Sequence, residues 1–512
     1  MTQASQESKD TEELDVLIKL SGSAVYKHRV DPSATDQEFQ QRLLGYLQDL
    51  VASISLPIRF RLEIGEEKGA NVPALKPLHV RVGDRMCRLP VDMRGAEDGA
   101  AVGLARFIAQ AVTEDRENLI SEQLVATLRP GVALESGNGP DTLDPVRLQE
   151  CVRALVRRGQ AFSRLATLLE RARETSAGGR IFGAFEEALW APDQIGLEIA
   201  LGTKQVEAIS SAENPKVPLP DPERILAPRL NALRRKLFNN LGIILPKVKV
   251  RTDEKLAPNE IRFRLNDMLL PPEDGLENST IDPTKFIMDR LERAICDRAE
   301  LFLTTYCIDN LRTSSPQLVE AVSQRIGVPT LLRVLERMLM EGLSIRDLRG
   351  ICESLLAIDS VTTVDQNKFI AFFPPVTNIC AVRQEKPLEA LDDLDYLSCA
   401  RMSMKAYFSA KHATNGTLIV YLVDPQLERR IARAEVDPLT EDECRQLLAA
   451  LETEVGPLPA VTFKRPVILT AVDARHQLWR LIEREFRRYP VLTYTELSPD
   501  SNIQPIARIS ID

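Results

Sequence analysis

The feature that most constrains this chain is that it repeats. Residues 14–170 resemble residues 195–353 block for block, so the fold has to accommodate one supersecondary unit used twice in tandem. Leu14-Asp-Val-Leu-Ile-Lys-Leu20 lies against Ile195-Gly-Leu-Glu-Ile-Ala-Leu201 at an offset of 181. The helix containing Arg42-Leu43 lies against the one containing Arg229-Leu230 at an offset of 187, and each leads to Leu-Pro (Leu56-Pro57, Leu245-Pro246). Leu78 to Asp84 matches Ile261 to Asp267 at 183, Asp115-Arg116 matches Asp297-Arg298 at 182, and Leu128-Arg129 matches Leu311-Arg312 at 183. Leu148, Val152, Leu155, Gly159, Phe162 and Leu165 fall on Leu331, Leu335, Met338, Gly342, Ile345 and Leu348, again at 183. Unrelated α/β segments also share amphipathic helices. Here six blocks keep one order and share the same punctuation, which reads as a duplication.

Each copy reads the same way physically. An opening strand precedes an amphipathic helix whose apolar residues recur at three and four, as in Leu226, Leu230, Leu233, Leu237 and Leu241, and Gly242 stops it. Two alternating strands follow, Val248 and Val250, then Ile261, Phe263 and Leu265, read as a pair turned at the polar stretch Thr252 to Asn259. A helical section closes each copy in a helix, glycine, helix corner: Leu331 to Glu341, Gly342, then Ser344-Ile-Arg-Asp347, with Ser344 and Asp347 spaced as a capping box. Residues 376–512 have no counterpart in the first half. They contain two strand-to-helix junctions, Leu418 to Asp424 and Val467 to Asp473, each ending in an Asp suited to cap the next helix, and Thr440-Glu-Asp-Glu443 opens another helix. The expected fold class is therefore mixed α/β and α, multidomain: a tail at 1–12, a first scaffold copy at 13–176, a linker and helix at 177–192, a second copy at 193–365 and a C-terminal α/β domain at 376–512. Glu174 to Arg180 and Ser210 to Pro222 read as hinges.

Composition narrows the function. A net charge of −9 and 5% aromatics supply neither a phosphate-tracking face nor a base-stacking platform, which argues against nucleic acid as a partner. The longest run free of Asp, Glu, Lys and Arg, Phe369 to Val382, has 14 residues and contains Pro374-Pro375, whereas a membrane span needs about 20 apolar residues. No transmembrane segment is expected. The polar start MTQASQESKDTEELD lacks a secretory or transit pattern, so a cytoplasmic location is expected. Eight cysteines lie at least eleven residues apart and four histidines stand singly, so no metal site or other cofactor is expected. Gly178-Gly179 follows no strand, and neither a Gly-x-x-x-x-Gly-Lys-Ser/Thr loop nor a Gly-x-Ser-x-Gly elbow occurs, so the expectation is that this is not an enzyme. Asp392-Asp393 with Asp395 reads as support for a helix N-terminus facing water, and Arg346-Asp347-Arg349 as capping and helix support. The basic run Arg484, Arg487, Arg488 suits a helix C-terminus, and Trp190 and Trp479 read as core or subdomain-contact residues.

Five segments carry a resemblance: Leu237 to Leu265 (LFNNLGIILPKVKVRTDEKLAPNEIRFRL), Ile281 to Leu301, Leu335 to Leu356 (with GLSIRDLRG), Gly416 to Glu428, and Arg465 to Leu497 (closing on YPVLTYTEL). Over about residues 191–512 the chain resembles the cytosolic domain of the FHIPEP family, the flagellar and virulence type III secretion export-gate proteins. The resemblance implies a non-enzymatic platform that docks chaperones, substrates or other proteins of the secretion apparatus and that assembles as a homo-oligomeric ring. It implies a cytoplasmic position beside the inner-membrane apparatus. Residues 13–176 read as a diverged partial second copy, in the place where the family has its membrane half. The family also inserts a small α/β subdomain where only Asn266 to Thr280 remain here, and usually has Thr-His where this chain has Asp289-Arg290. Ile287, Asp289 and Arg290 are the protein-binding residues that alignment with the family's binding region implies. The alternative expectation is a structural ring or cap subunit that binds no cargo.

Overall fold

The computed structural model describes residues 14–21, 32–65, 79–82, 85–88, 100–128, 145–175, 181–213, 221–276, 282–357, 391–434, 436–455, 466–483, 486 and 489–511. The chain divides into two compact units, Met1–Cys307 and Ile308–Asp512, so the division falls inside the expected second copy at 193–365. The expected tail at 1–12 and most of the two expected hinges, 176–180 and 214–220, lie outside the described residues.

The first unit contains two sheets of the same design. In the first, β1 (Leu14–Ser21) is followed by α1 (Pro32–Ser53), β2 (Ile58–Gly65), β3 (His79–Val82) and β4 (Arg85–Arg88). The strand order is β2-β1-β3-β4, with β2 parallel to β1 and the other neighbours antiparallel. The helices α2 (Ala100–Glu114), α3 (Glu122–Leu128), α4 (Pro145–Arg157), α5 (Leu165–Thr175) and α6 (Ile181–Leu189) come next. In the second sheet, β5 (Leu197–Leu201) is followed by α7 (Thr203–Glu213), α8 (Pro222–Leu241), β6 (Val248–Thr252), β7 (Glu260–Leu265), β8 (Met268–Leu269) and β9 (Glu273–Asp274). The order is β6-β5-β7-β8, again with one parallel pair, β5 and β6, and antiparallel neighbours elsewhere, and β9 pairs with β7. The strands at 248–252 and 260–265 are therefore not partners, as their alternation suggested; β5 lies between them. Alternation reports which face is buried and carries no information about which strand lies alongside.

The helix α8 forms where its apolar spacing places it. Asp221 caps it by accepting from the Glu223 amide at 3.0 Å, Pro222 takes the first helical position, and Leu226, Leu230, Leu233, Leu237 and Leu241 are buried. It ends at Gly242, whose φ of 82° is the left-handed conformation that terminates helices. The helix α9 (Pro283–Cys296) and a short 3-10 turn, Ala299–Phe302, complete the unit, and α10 (Tyr306–Ser314) runs from it into the second. The 3-10 turn Arg116–Leu119 is its counterpart in the first repeat, at the offset of 183 that three of the six sequence blocks share.

The second unit continues with α11 (Pro316–Arg325), α12 (Val328–Met340), α13 (Leu348–Leu356), α14 (Asp393–Ser403) and α15 (Lys405–His412). An α/β layer follows: β10 (Thr417–Val423), α16 (Pro425–Ala432), α17 (Glu441–Val455), β11 (Val467–Thr470), α18 (Val472–Ile482), β12 (Val491–Thr493) and β13 (Asn502–Ile509). Its four strands are all parallel, in the order β12-β11-β10-β13. Tyr421, Leu427, Ile431, Leu451, Ile468 and Leu478 anchor its core.

The two helix corners agree in atomic detail. After α4, the Gly159 amide donates to Val156 O (2.9 Å) and the Gln160 amide to Leu155 O (3.1 Å); after α12, the Gly342 amide donates to Leu339 O (2.9 Å) and the Leu343 amide to Met338 O (2.8 Å). Both glycines have positive φ, 64° and 68°. A Cβ at Gly342 would meet nothing within 4 Å, whereas at Gly159 it would lie 3.2 Å from the Met268 Cβ. Gly342→Ala should therefore cost only the left-handed penalty, about 1 kcal/mol. Gly159→Ala should cost that and a packing clash in addition, so its loss in urea unfolding should be the larger; equal losses would contradict this.

Candidate protein-interaction site

The three residues marked from the sequence lie on α9, which Asp282 caps by accepting from the Thr284 amide (2.9 Å) and hydroxyl (2.7 Å). One face of α9, Thr284, Ile287, Met288, Leu291, Ala294 and Ile295, is buried. Ile287 belongs to that face and is 0% exposed, so it packs the core and is not offered to a partner. Asp289 is exposed and Arg290 half-buried. The guanidinium of Arg290 lies 5.1 Å from the centre of the Phe286 ring and reaches Glu273 on β9 at 3.2 Å. On the same side of the unit, Lys236 of α8 donates to Glu292 at 2.8 Å.

The short segment that follows β7, described as far as residue 276, is bonded to the first repeat at Asn266 to Leu269 and at Asp274. Asn266 Nδ2 donates to Arg158 O (2.7 Å), and the Asp267 and Met268 amides donate to Gly159 O (2.9 and 3.1 Å). The Asp267 carboxylate accepts from the Ala161 amide (2.9 Å) and from Arg164 (2.7 Å). The Leu269 amide donates to Ser53 Oγ (3.1 Å), and Arg106 of α2 pairs with Asp274 and, at 3.0 Å, with Glu260. Arg262 pairs with Asp49 (2.7 Å) and Arg298 with Glu114 (3.2 Å). Beneath these, the buried Arg158 donates to the carbonyls of Glu300 (3.3 Å), Leu301 (3.4 Å) and Leu303 (2.7 Å) and stacks 5.5 Å from the centre of the buried Trp190 ring. Three carbonyls at the end of a 3-10 turn present the partial negative charge that a buried guanidinium needs.

In the second unit, four charged side chains, each no more than 4% exposed, form a closed network. Arg401 of α14 forks onto Glu496 (Nε at 2.7 Å, Nη2 at 2.9 Å), bonds Glu341 and donates to Val491 O (3.1 Å). Arg475 of α18 takes both oxygens of Glu341, at 3.0 and 2.9 Å. Glu496 also accepts from the Thr493 amide (3.0 Å), and Arg401 lies over the Phe408 ring. Burial alone would raise the Glu341 carboxyl, but Arg475 and Arg401 overcome it and hold it below its ordinary value. Burial would lower Arg401, yet Glu496 and Glu341 keep it above its usual range; burial and the neighbouring Arg401 depress Arg475. The network is neutral as a whole, which is the condition for burying four charges.

Other sequence expectations divide. Thr440 and Glu443 form the expected capping box, and Asp424 caps α16 by accepting from the Gln426 amide (2.8 Å). Asp473 does not cap α18; the helix starts at Val472, so Asp473 lies in its first turn, and the Ala471 amide donates to Glu428 of α16 at 2.8 Å. Asp347, not Ser344, caps α13, by accepting from the Gly350 amide. Asp392 and Asp395 form a capping box on α14, in which only Asp392 faces water and Asp393 bonds Arg333 at 2.9 Å. Arg484, Arg487 and Arg488 lie outside the described residues. Sequence reasoning missed Arg158 and Arg401. Arg158 follows Arg157 just past the end of α4 and Arg401 lies inside α14, and the partners of each come from distant elements, so no local pattern could have revealed either.

Residues 273–372 match the model of the FHIPEP family, a stretch that runs from β9 through α9 and past α13. Low calcium response locus protein D of Yersinia pestis is 24% identical over 273 residues, covering 50% of this chain and 34% of that protein. The flagellar biosynthesis protein FlhA of Bacillus subtilis is 25% identical over 337 residues, covering 56% of this chain and 46% of that protein. The chain thus spans a third to a half of the length of these curated relatives. Among solved structures, Chlamydia pneumoniae CdsV is similar with a TM-score of 0.49 and 22% identity, covering 62% of this chain and 98% of that one. Among the described residues, no helix is long and apolar enough to cross a membrane, and no group of three His, Cys, Asp or Glu could hold a metal ion.

Two outcomes follow from the network. Arg401→Met leaves Glu496 and Glu341 buried with one cation between them and should cost the second unit about 3–5 kcal/mol in urea unfolding; adding Glu496→Gln should cost less than the two losses summed, and strict additivity would contradict the coupling. His476, beside the network and stacked on Trp479, is pushed down to about 4 by burial and then by Arg475. Its ordinary value is higher, so the unfolded chain binds the proton first: stability is full above pH 6.5 and falls as the pH drops toward 4. The loss should reach the order of 3 kcal/mol, and His476→Gln should flatten the slope between pH 6.5 and 5. An unchanged slope in that variant would contradict the assignment.

Proposed function

From the match of residues 273–372 to the FHIPEP family, we propose that this chain is a non-enzymatic protein-binding platform of a type III secretion or flagellar export apparatus, docking chaperones, substrates or apparatus components. Relatives with the names Low calcium response locus protein D, Hypersensitivity response secretion protein HrpI and Flagellar biosynthesis protein FlhA support that reading. It is carried by the placement of the matched stretch: the part most like the family is also the part tied into the buried network through Glu341. Such a platform acts by presenting surfaces on rigid α/β and helical layers, and binding energy comes from side-chain contacts on those surfaces. On α9, Asp289 and Arg290 are the surface positions that would meet a partner.

One observation favours the second reading, a structural subunit that binds no cargo. The first repeat is bonded along residues 266–274, so that stretch of the second repeat is engaged within the chain itself.

Affinity capture with the full chain from cells running a secretion system separates the two. The platform reading expects chaperone or substrate proteins in the captured material, and their loss with Asp289→Arg/Arg290→Glu while the melting temperature holds. Apparatus components without cargo would favour the structural reading, and the absence of any secretion protein would contradict both.

A further inference from the structure

At the N-terminal ends of β10 and β13 the second unit has a small cup, walled by the C-terminal half of α15 and by two turns, 413–417 and 498–501. Its volume is about 290 Å³. Pockets that enclose a small molecule or cofactor hold about 300–1,000 Å³, so this one has room for a single side chain. Its walls are tied to one another. Ser409 Oγ lies 2.9 Å from Ser501 Oγ and accepts from the Ser498 amide at 3.2 Å, which fixes the helix to the second turn. The first turn is closed by mutual backbone bonds between Thr414 and Thr417 (2.8 and 2.9 Å), and Gly416 O accepts from the Asn502 amide at 3.0 Å. Gly416 has a φ of 77°, and a Cβ there would meet nothing within 4 Å, so the cup stays open on that side.

The lining offers two kinds of surface. Ala410, Ala413 and the Gly416 backbone are apolar, and around them stand the serine hydroxyls and the Asp500 carboxylate. Asp500 is the one ionisable group in the lining; it is exposed and, among the described residues, makes no hydrogen bond or ion pair. The wall helix adds to its field, because the C-terminal end of a helix is the negative end of its dipole. Lys411, on that last turn, is drawn to the Tyr407 hydroxyl (2.9 Å) and to Gly342 O (3.3 Å). An anion would meet a carboxylate here, and a wholly apolar side chain would strip water from Asp500 and the serines without replacing it. A long cationic side chain satisfies both surfaces, its stem on the alanines and its head at Asp500. A guanidinium suits better than an ammonium, since five donors spread in one plane reach the carboxylate and the hydroxyls together. We propose that this cup receives an arginine side chain of a partner protein, held by Asp500 and the serine hydroxyls. The contact does not rest on the secretion reading, because the cup recognises one side chain and its test needs only the chain and a peptide.

Ala410 and Ala413 place two methyl reporters in the cup, so the test is a titration of the full chain, carrying carbon-13 alanine methyl groups, with the peptide acetyl-Gly-Arg-Gly-amide. Those two signals should shift and saturate at millimolar peptide, the order expected of one side chain, while the signal of Ala474, buried in the core of the sheet, stays in place. The same peptide with citrulline for arginine keeps the stem and loses the charge, and should bind about tenfold more weakly or less. Asp500→Asn, at an exposed position where folding is not at risk, should weaken the arginine peptide by the same factor, and Ala413→Leu should fill the cup and abolish the Ala410 shift. Equal binding of the arginine and citrulline peptides, an Asp500→Asn chain that binds as the native one does, or cup signals unmoved at tens of millimolar peptide would each overturn the proposal.

Discussion

Each α/β layer that follows a repeat is joined to it at a corner where a helix ends in a left-handed glycine, and the residue just before that glycine carries the joint. In the first unit that residue is Arg158, whose guanidinium takes the carbonyls of Glu300, Leu301 and Leu303 while its own carbonyl accepts from Asn266. In the second unit it is Glu341, which binds Arg401 and Arg475. The glycine adds a second bond at the same place: Gly159 O accepts the Asp267 and Met268 amides, and Gly342 O accepts from Lys411. The backbone turn is the same and the side chain is opposite in charge. One corner geometry thus serves two layers by changing the group at a single position.

Buried charge explains why the joints are specific. A guanidinium removed from water loses hydration worth several kcal/mol, which only a complete set of acceptors offsets. Arg158 meets carbonyl oxygens and the face of Trp190; Arg401 meets two carboxylates, a carbonyl and the Phe408 ring. A layer docked out of register would leave those cations unpaired, so the arrangement excludes alternatives more strongly than it adds stability. Three segments far apart in sequence, GLSIRDLRG with its preceding Glu341, the α18 segment with Arg475, and YPVLTYTEL with Glu496, meet at this one network.

Local features were legible in the sequence and distant partnerships were not. The end of α8 at Gly242, the two corner glycines and the Thr440–Glu443 box could be read because each is written within a few residues. The insertion of β5 between β6 and β7 could not, since a strand's neighbour is set by tertiary assembly. Ile287, Asp289 and Arg290 were marked together by family likeness, but helical periodicity already separates them: Ile287 falls on the stripe with Thr284, Leu291 and Ala294, while Asp289 lies off it. The acceptor for the Ala471 amide proved to be Glu428, from another helix, a substitution of role that no reading of the 467–473 junction alone would disclose.

The claim that the residue before each corner glycine holds the following layer is tested most directly by amide hydrogen exchange on Arg158→Met in the full chain. The account predicts lost protection in β7, β8 and the 299–302 turn, all far downstream of the substitution in sequence, with the second unit's parallel sheet unaffected. Exchange that quickens only within α4 and its own turn would show that the arginine serves its helix alone, and would contradict the account.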